Sequence, residues 1–198
     1  MSKKSNLNIS NYKKALDFSY SFYQSKYRKG IKYPYFTYLS SVSNLIIENN
    51  GSTDEAIAGL FHDILEDDDG VRRKNSIKLK FGVKVLNIVK QCSNIQNLKI
   101  EKLNWVENKK KFLDSMSKKS QSSLLVCMCD KLHSVNCIIS DYNKIGKKVW
   151  KDYEIEPKHI YWYYKTLCQN FKKFLKNHKS LKDRFQRNVN ELQHCCKN

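Results

Sequence analysis

One imidazole and three carboxylates fall within the short segment 61–67, whose residues are Phe-His-Asp-Ile-Leu-Glu-Asp. In a helix, residues four apart are neighbours, so His62 would lie over Glu66 and Asp63 over Asp67. Carboxylates gathered in this way repel one another, and a divalent cation is a natural reason to keep them together. The segment therefore predicts a metal centre for hydrolysis, carried by a helix.

A second element must contribute to such a centre, because a single helix cannot surround an ion. The side chain that we expect to contribute is Asp130, which lies inside one of the most apolar predicted helices, 122–140. A buried carboxylate without a partner is unfavourable, and either a cation or a basic side chain of a neighbouring helix would relieve that cost. The chain also contains the His62-Asp63 pair, which could share a metal ion with this carboxylate. We therefore favour the role of metal ligand for Asp130 over that of an ion-pair partner.

The composition indicates which elements carry these residues. Only 6 Gly and 2 Pro occur among 198 residues, which disfavours a sheet-rich fold and favours long helices joined by short polar loops. We expect a single all-α domain after a polar tail over residues 1–8, with a helix cap at Ser52-Thr53-Asp54-Glu55. The predicted helices cover residues 9–28, 34–48, 56–66, part of 78–89 after a short turn, 105–116, 122–140, 157–178 and a basic final helix to about 192.

The chain is strongly basic, with a formal net charge of +18 and an isoelectric point near 9.6. A polyanionic partner such as nucleic acid is one explanation. A Lys-rich bias spread over solvated helix faces is the other, and we favour it because the sequence has no Arg-rich block and no known nucleic-acid motif. Nucleic acid is therefore a partner that the composition permits but does not favour.

The cysteines and the N-terminus indicate a cellular compartment. The 7 cysteines lack Cys-x-x-Cys spacing, and several fall in apolar helical stretches where free cysteine behaves as a small core residue. The N-terminus is not followed by the apolar region of a signal peptide, and no apolar run approaches transmembrane length. We expect a soluble protein of the reducing cytoplasm that has no membrane partner.

Four motifs in a fixed order resemble those of the HD-domain metal-dependent phosphohydrolases. They are most similar to the branch that contains the RelA/SpoT-type (p)ppGpp hydrolases and their small stand-alone relatives. The resemblance covers about residues 10 to 170, and it implies a single-domain HD-type helical bundle over residues 9–178 with a basic C-terminal helix or tail over 179–198. The motifs are Arg28-Lys29 with Tyr33-Pro34-Tyr35, His62-Asp63 with Glu66-Asp67, Phe81-Gly82, and Asp130-Lys131-Leu132-His133.

The same resemblance implies roles for individual residues. A divalent ion, with manganese as the expected metal, would be held by the His-Asp pair and the distant Asp, and water would attack a phosphorus and release pyrophosphate. The activity implied is that of a 3′-pyrophosphohydrolase acting on a guanosine nucleotide of the (p)ppGpp type. The implied metal ligands are His62, Asp63 and Asp130, the residues that orient or deprotonate water are Glu66 and Asp67, and the nucleotide-binding residues are Arg28, Lys29, Lys131 and Ser134.

This chain departs from the family pattern at two positions. The family's first metal-binding His is replaced by Tyr38, and an Asn that contacts substrate is replaced by Ser134. A phenol with a pKa near ~10 is a poorer metal ligand than imidazole at neutral pH. Three hypotheses therefore remain: an active phosphohydrolase, a degenerate HD domain that binds nucleotide or regulates, and a basic helical protein that binds nucleic acid.

Overall fold

The protein is all-α in a computed structural model that describes residues 7–28, 32–66, 70–93, 104–153 and 155–197. Within those ranges the only extended pairing is an isolated bridge between Tyr27 and Pro34. Short 3₁₀ turns follow two of the helices, at Met116–Lys118 and Gly146–Val149. The helices are α1 Ile9–Tyr23, α2 Tyr35–Glu48, α3 Thr53–Phe61, α4 Gly70–Cys92, α5 Trp105–Ser115, α6 Gln121–Ile145, α7 Trp150–Tyr153, α8 Pro157–Phe174 and α9 Lys179–Lys197.

The predicted all-α class is confirmed, and several predicted boundaries are wrong. Helix α1 ends at Tyr23 rather than at Arg28, and α6 continues to Ile145 through the region predicted as a loop. Helix α4 begins at Gly70, well before the predicted helix, and the turn expected near Gly82 is a kink at that residue, where φ is +91°. Glycine suits this left-handed backbone because it carries no Cβ.

The largest correction concerns the segment that carries the candidate ligands. Helix α3 ends at Phe61, and His62 to Leu65 form consecutive tight turns instead of a continuing helix. The amide of Ile64 donates to Phe61 O at 2.9 Å, and that of Glu66 donates to Asp63 O at 3.1 Å. The predicted stacking of His62 over Glu66 along a helix is therefore wrong.

The chain divides into two compact units. The first comprises residues 1–27, 33–97 and 120–130, and the second comprises residues 28–32, 98–119 and 131–198. In the second unit, α8 and α9 pack through aromatic rings, with Phe185 set edge-on to Phe171 at 5.6 Å between centroids. Helix α9 also buries Leu181, Val189 and Leu192, so its apolar face is part of a core.

In the first unit, α2 and α3 approach each other closely at Gly59. A Cβ at this position would lie 2.5 Å from Ile46 Cδ1 and 3.3 Å from Ser43 Cα. The buried Ser43 hydroxyl donates to Ala56 O at 2.8 Å and also lies 2.8 Å from the Tyr12 hydroxyl of α1. Polar groups thus join α1, α2 and α3 inside an apolar contact.

The structure explains two features of the sequence in this unit, the helix cap at Ser52 and the polar residue Ser19 in the apolar stripe of α1. The predicted cap at the start of α3 is confirmed as a capping box, in which Ser52 accepts from the Glu55 amide and Glu55 Oε2 accepts from the Ser52 amide at 2.6 Å. Ser19 interrupts the apolar stripe of α1, yet it is fully buried and its hydroxyl donates to Leu60 O at 3.2 Å. A buried polar side chain is tolerated when it is hydrogen-bonded in this way.

The helical stretch Gln121–Val149 is long and apolar enough to cross a membrane by length and composition, in contrast to the expectation that no run approaches that length. In the structure, 67% of its most apolar window is buried inside the protein. The core helix of a soluble protein has the same properties, so this stretch is only weak support for a membrane span.

Replacing Gly59 with Ala is expected to destabilise the protein by about 1–3 kcal/mol, because the added methyl group overlaps the buried Ile46 Cδ1 and lies tightly against the Ser43 backbone of α2. The gain of up to about 1 kcal/mol in helix propensity does not offset that overlap. Urea denaturation followed by circular dichroism measures the change. The exposed α2 variant Asn44→Ala is the control and should stay within about 0.5 kcal/mol of wild type. An equally small change in Gly59→Ala would contradict the close approach of the two helices.

Candidate metal centre

The turns after α3 are held in place by Arg73 of α4 and by Ser93, the residue after α4. The last carbonyls of a helix lack partners within the helix, so they must be satisfied by other groups. The Ser93 hydroxyl lies 2.9 Å from His62 O, and Arg73 Nη1 donates to Ile64 O at 3.2 Å. The Arg73 guanidinium also lies over the Phe22 ring at 3.6 Å from its centroid. These contacts stabilise the end of α3 at Phe61 and orient the two residues that follow.

The three side chains that we predict as metal ligands lie together in the first unit. His62 Nε2 is 3.3 Å from Asp63 Oδ2 and 3.6 Å from Asp130 Oδ1. His62 and Asp130 are buried, with relative exposures of 3% and 4%, whereas the Asp63 side chain is 22% exposed. The structure therefore brings the His-Asp pair after α3 and the distant Asp of α6 into one cluster, and their role as metal ligands stays a prediction.

The main chain of α3 orients the His62 imidazole. His62 Nδ1 lies 2.8 Å from Gly59 O, and a carbonyl oxygen can only accept, so Nδ1 is assigned as the donor. Nε2 is then directed toward the two carboxylates. Burial lowers the pKa of His62, but the Asp63 and Asp130 carboxylates outweigh it and raise that pKa to about 10 when no metal is present.

Two tyrosines of α2 also reach the cluster. The Tyr35 hydroxyl donates to Asp63 Oδ2 at 2.6 Å, and the Tyr38 hydroxyl donates to Asp130 Oδ1. Tyr38 is buried, and its hydroxyl also lies 3.4 Å from His62 Nε2. Burial and the nearby Asp63 carboxylate raise the pKa of Tyr35 far above its usual range, so the Tyr35 hydroxyl is a neutral donor.

Tyr35 is a residue of the cluster that the sequence reasoning missed. The spacing of three residues between Tyr35 and Tyr38 places both side chains on one face of a helix. This spacing is the sequence feature from which Tyr35 could have been predicted to lie near the cluster. Tyr35 stacks on Tyr23 of α1 at 5.1 Å between ring centroids, which fixes the ring from its other side. The contact of the Ser93 hydroxyl with His62 O had no comparable signal, because it joins residues that are distant in sequence.

The other predicted site residues are exposed, belong to the second unit or lie outside the described residues. Glu66 is exposed after the turns, while Asp67 and Lys29 lie outside the described residues. In the second unit, Arg28 Nη1 donates to Cys137 Sγ at 3.6 Å, and Lys131 Nζ lies over the Phe112 ring at 5.7 Å from its centroid. Ser134 is half-buried in the same unit. Their roles toward a nucleotide therefore stay predictions.

The fold and the cluster define an all-α domain organised around a His-Asp pair and a distant Asp. A family model for the HD domain matches residues 15–156 of the chain. The protein belongs to the HD-domain family, whose phosphohydrolase members bind divalent metal ions. No curated protein matches the chain significantly in sequence.

Solved structures share this fold at low sequence identity. A metazoan ortholog of SpoT that hydrolyses ppGpp is 17% identical, with a TM-score of 0.72, and the match covers 96% of this chain and 98% of that one. The protein lmo0812 from Listeria monocytogenes is 18% identical, with a TM-score of 0.64, and the match covers 81% of this chain and 99% of that one. At these identities the likeness establishes the fold.

The donor chemistry of the cluster fits a divalent ion, but the arrangement is incomplete. Two ligands at about 2.1 Å from one ion lie roughly 3.0–3.4 Å apart, close to the separations around His62 Nε2. Among the described residues, however, no group of three or more His, Cys, Asp or Glu side chains is arranged to hold a metal. The Tyr38 hydroxyl contacts two of the three atoms that would bind the ion.

In metal-free protein, the contribution of His62 to stability should depend on pH. Because the folded pKa of about 10 lies above the unfolded value of about 6.5, this contribution is complete below pH ~6.5 and is lost as pH rises through ~10. Denaturation in the presence of EDTA should show wild type more stable than His62→Gln at pH 6, with the difference shrinking toward pH 10. A difference that does not change with pH would contradict the ionic contacts of His62.

Proposed function

We propose that this protein is a phosphohydrolase that removes pyrophosphate from a guanosine nucleotide of the (p)ppGpp type, with Mn²⁺ as its divalent ion. The observation that carries the proposal is the buried cluster in which His62 Nε2 faces Asp63 at 3.3 Å and Asp130 at 3.6 Å. The HD-domain family match and the fold shared with a ppGpp-hydrolysing SpoT ortholog support it. The 7 free cysteines support a cytoplasmic location, and the proposal requires no membrane partner.

The proposed roles follow the chemistry of each side chain. His62, Asp63 and Asp130 would hold the ion, which when bound polarises a phosphoryl oxygen and lowers the pKa of water. Glu66 and Asp67 are proposed to orient the attacking water and take its proton. Water would attack the phosphorus nearest the ribose, and the bond from that phosphorus to the ribose oxygen would break. The ribose oxygen is the leaving group and takes up a proton, and pyrophosphate is released carrying the oxygen of the attacking water.

The nucleotide itself would be bound by basic and polar side chains. Arg28 and Lys29 are proposed to contact the guanine and the nucleotide backbone, and Lys131 and Ser134 to contact phosphate or sugar. Arginine suits the first role because its planar guanidinium stacks on aromatic rings and binds phosphate in a bidentate manner. The net charge of +18 favours any anionic ligand, a nucleotide included.

Purified protein with added Mn²⁺ should release pyrophosphate from ppGpp, measured by a pyrophosphatase-coupled phosphate assay against GTP, GDP and ATP. Asp63→Asn should lower the rate beyond the ~10–100-fold loss that changes outside the ligand set cause. The control is Asp17→Asn, which removes an exposed carboxylate paired with Lys13 and should keep wild-type activity. Wild-type protein that remains inert on every nucleotide with Mn²⁺ present would refute the proposal.

Tyr38 favours a second candidate function, a catalytically weak HD domain that binds nucleotide or regulates. Its hydroxyl occupies the interior of the cluster, where it contacts Asp130 and lies 3.4 Å from His62 Nε2. An imidazole at this position would bring a nitrogen ligand in place of a neutral phenol. A protein of this class would keep the fold and a nucleotide site without efficient turnover.

Tyr38→His distinguishes the two candidates. If the second candidate is right, wild type binds ppGpp in a calorimetric titration but does not hydrolyse it, and Tyr38→His gains Mn²⁺-dependent pyrophosphate release. If the first candidate is right, wild type already turns over and the variant changes the rate by a smaller factor. Failure of both proteins to bind or hydrolyse any guanosine nucleotide would exclude both candidates.

A further inference from the structure

We propose that the two tyrosines of α2 have opposite effects on the cation site: Tyr35 positions the ligand Asp63, whereas Tyr38 competes with the cation for Asp130. This inference rests on the proposed function only in assigning a divalent cation to the cluster. It concerns how the protein holds its two carboxylates before an ion arrives. No ligand role for either hydroxyl is required.

Each carboxylate of the cluster accepts a hydrogen bond from one of these tyrosines. Tyr35 donates to Asp63 Oδ2 at 2.6 Å, and Tyr38 donates to Asp130 Oδ1. Both hydroxyls thus reach the oxygen that faces His62 Nε2. Because the tyrosines are three residues apart on one helix, α2 keeps both carboxylates near the imidazole in the absence of an ion.

The surroundings of the two hydroxyls differ. Among the ligand atoms, the Tyr35 hydroxyl contacts only Asp63, which is the more exposed carboxylate, and its ring is fixed by stacking on Tyr23. A carboxylate oxygen has a second lone pair, so it can accept this hydrogen bond and bind an ion as well. Hydrogen bonds of this kind orient a ligand and strengthen metal binding.

Tyr38 instead lies among the ligand atoms themselves. Its hydroxyl contacts Asp130 Oδ1 and also lies 3.4 Å from His62 Nε2, in a position that is only 6% exposed. A cation bound to those two atoms would meet the hydroxyl and its positively polarised hydrogen directly. Cation binding therefore requires Tyr38 to release Asp130, and the hydrogen bond it gives up weakens the affinity.

The test measures Mn²⁺ binding without nucleotide, from the electron paramagnetic resonance signal of free Mn²⁺. Tyr35→Phe should bind Mn²⁺ about tenfold more weakly than wild type, because Asp63 loses its positioning donor. Tyr38→Phe should bind about tenfold more tightly, because a charge-assisted hydrogen bond no longer competes with the ion. The matched control is Tyr12→Phe, which removes a half-buried hydroxyl bonded to Ser43 outside the cluster and should leave the affinity unchanged.

The opposite signs make the inference falsifiable. Weaker binding in Tyr38→Phe would show that Tyr38 is itself a ligand, and unchanged binding in Tyr35→Phe would remove its positioning role. Absence of Mn²⁺ binding in all of these proteins would overturn the inference as well, since Tyr38→Phe is expected to bind. If circular dichroism shows that Tyr38→Phe does not fold, Tyr38→Leu also lacks the hydroxyl and takes its place.

These measurements separate the inference from the proposed function, because they involve no turnover. Opposite shifts in Mn²⁺ affinity in a protein that hydrolyses no nucleotide would refute the proposed function and leave the inference standing. Pyrophosphate release with equal Mn²⁺ affinities in wild type, Tyr35→Phe and Tyr38→Phe would refute the inference and leave the proposed function standing.

Discussion

The buried contacts among His62, Asp63 and Asp130 are the constraint on which the rest of the first unit depends. Charged groups at 3–4% exposure are costly unless each is paired and hydrogen-bonded. The imidazole is therefore held on one side by Gly59 O and on the other by the two carboxylates. Helices α2, α3 and α6 each contribute a group to this arrangement, so the positions of these helices and the cluster stabilise each other.

Small side chains and main-chain groups make this convergence possible. Gly59 lets α3 lie against α2, which brings the turn after α3 under the tyrosines of α2. Ser93 and Arg73 of the following segment bind the carbonyls of His62 and Ile64 in the turns after α3. The chain can leave the helix at Phe61 without burying unsatisfied carbonyls, and His62 and Asp63 turn toward Asp130.

The two tyrosines of α2 bring hydroxyl donors to the cluster. A site built from imidazole and carboxylates alone would concentrate negative charge and depend on an ion to hold it together. Here each carboxylate accepts a hydrogen bond from a tyrosine hydroxyl, and the two carboxylates raise the pKa of the His62 imidazole. The carboxylates and the imidazole of the cluster thus have hydrogen-bond partners within the protein itself. Tyr38 contributes both to this packing and, in our proposal, to the affinity for the cation.

The sequence alone determined the features that depend on local pattern. Helical spacing and the scarcity of Gly and Pro predicted the all-α class, the Ser52–Glu55 cap follows from adjacent residues, and ordered motifs predicted that Asp130 would join His62 and Asp63. Tertiary structure decided how the chain leaves α3, because the carbonyls of His62 and Ile64 are bound by Ser93 and Arg73 from outside the segment, and no local signal at residues 62–66 indicates a stop. It also decided where the phenols of Tyr35 and Tyr38 lie, since a hydroxyl acquires its partner only when helices distant in sequence pack together.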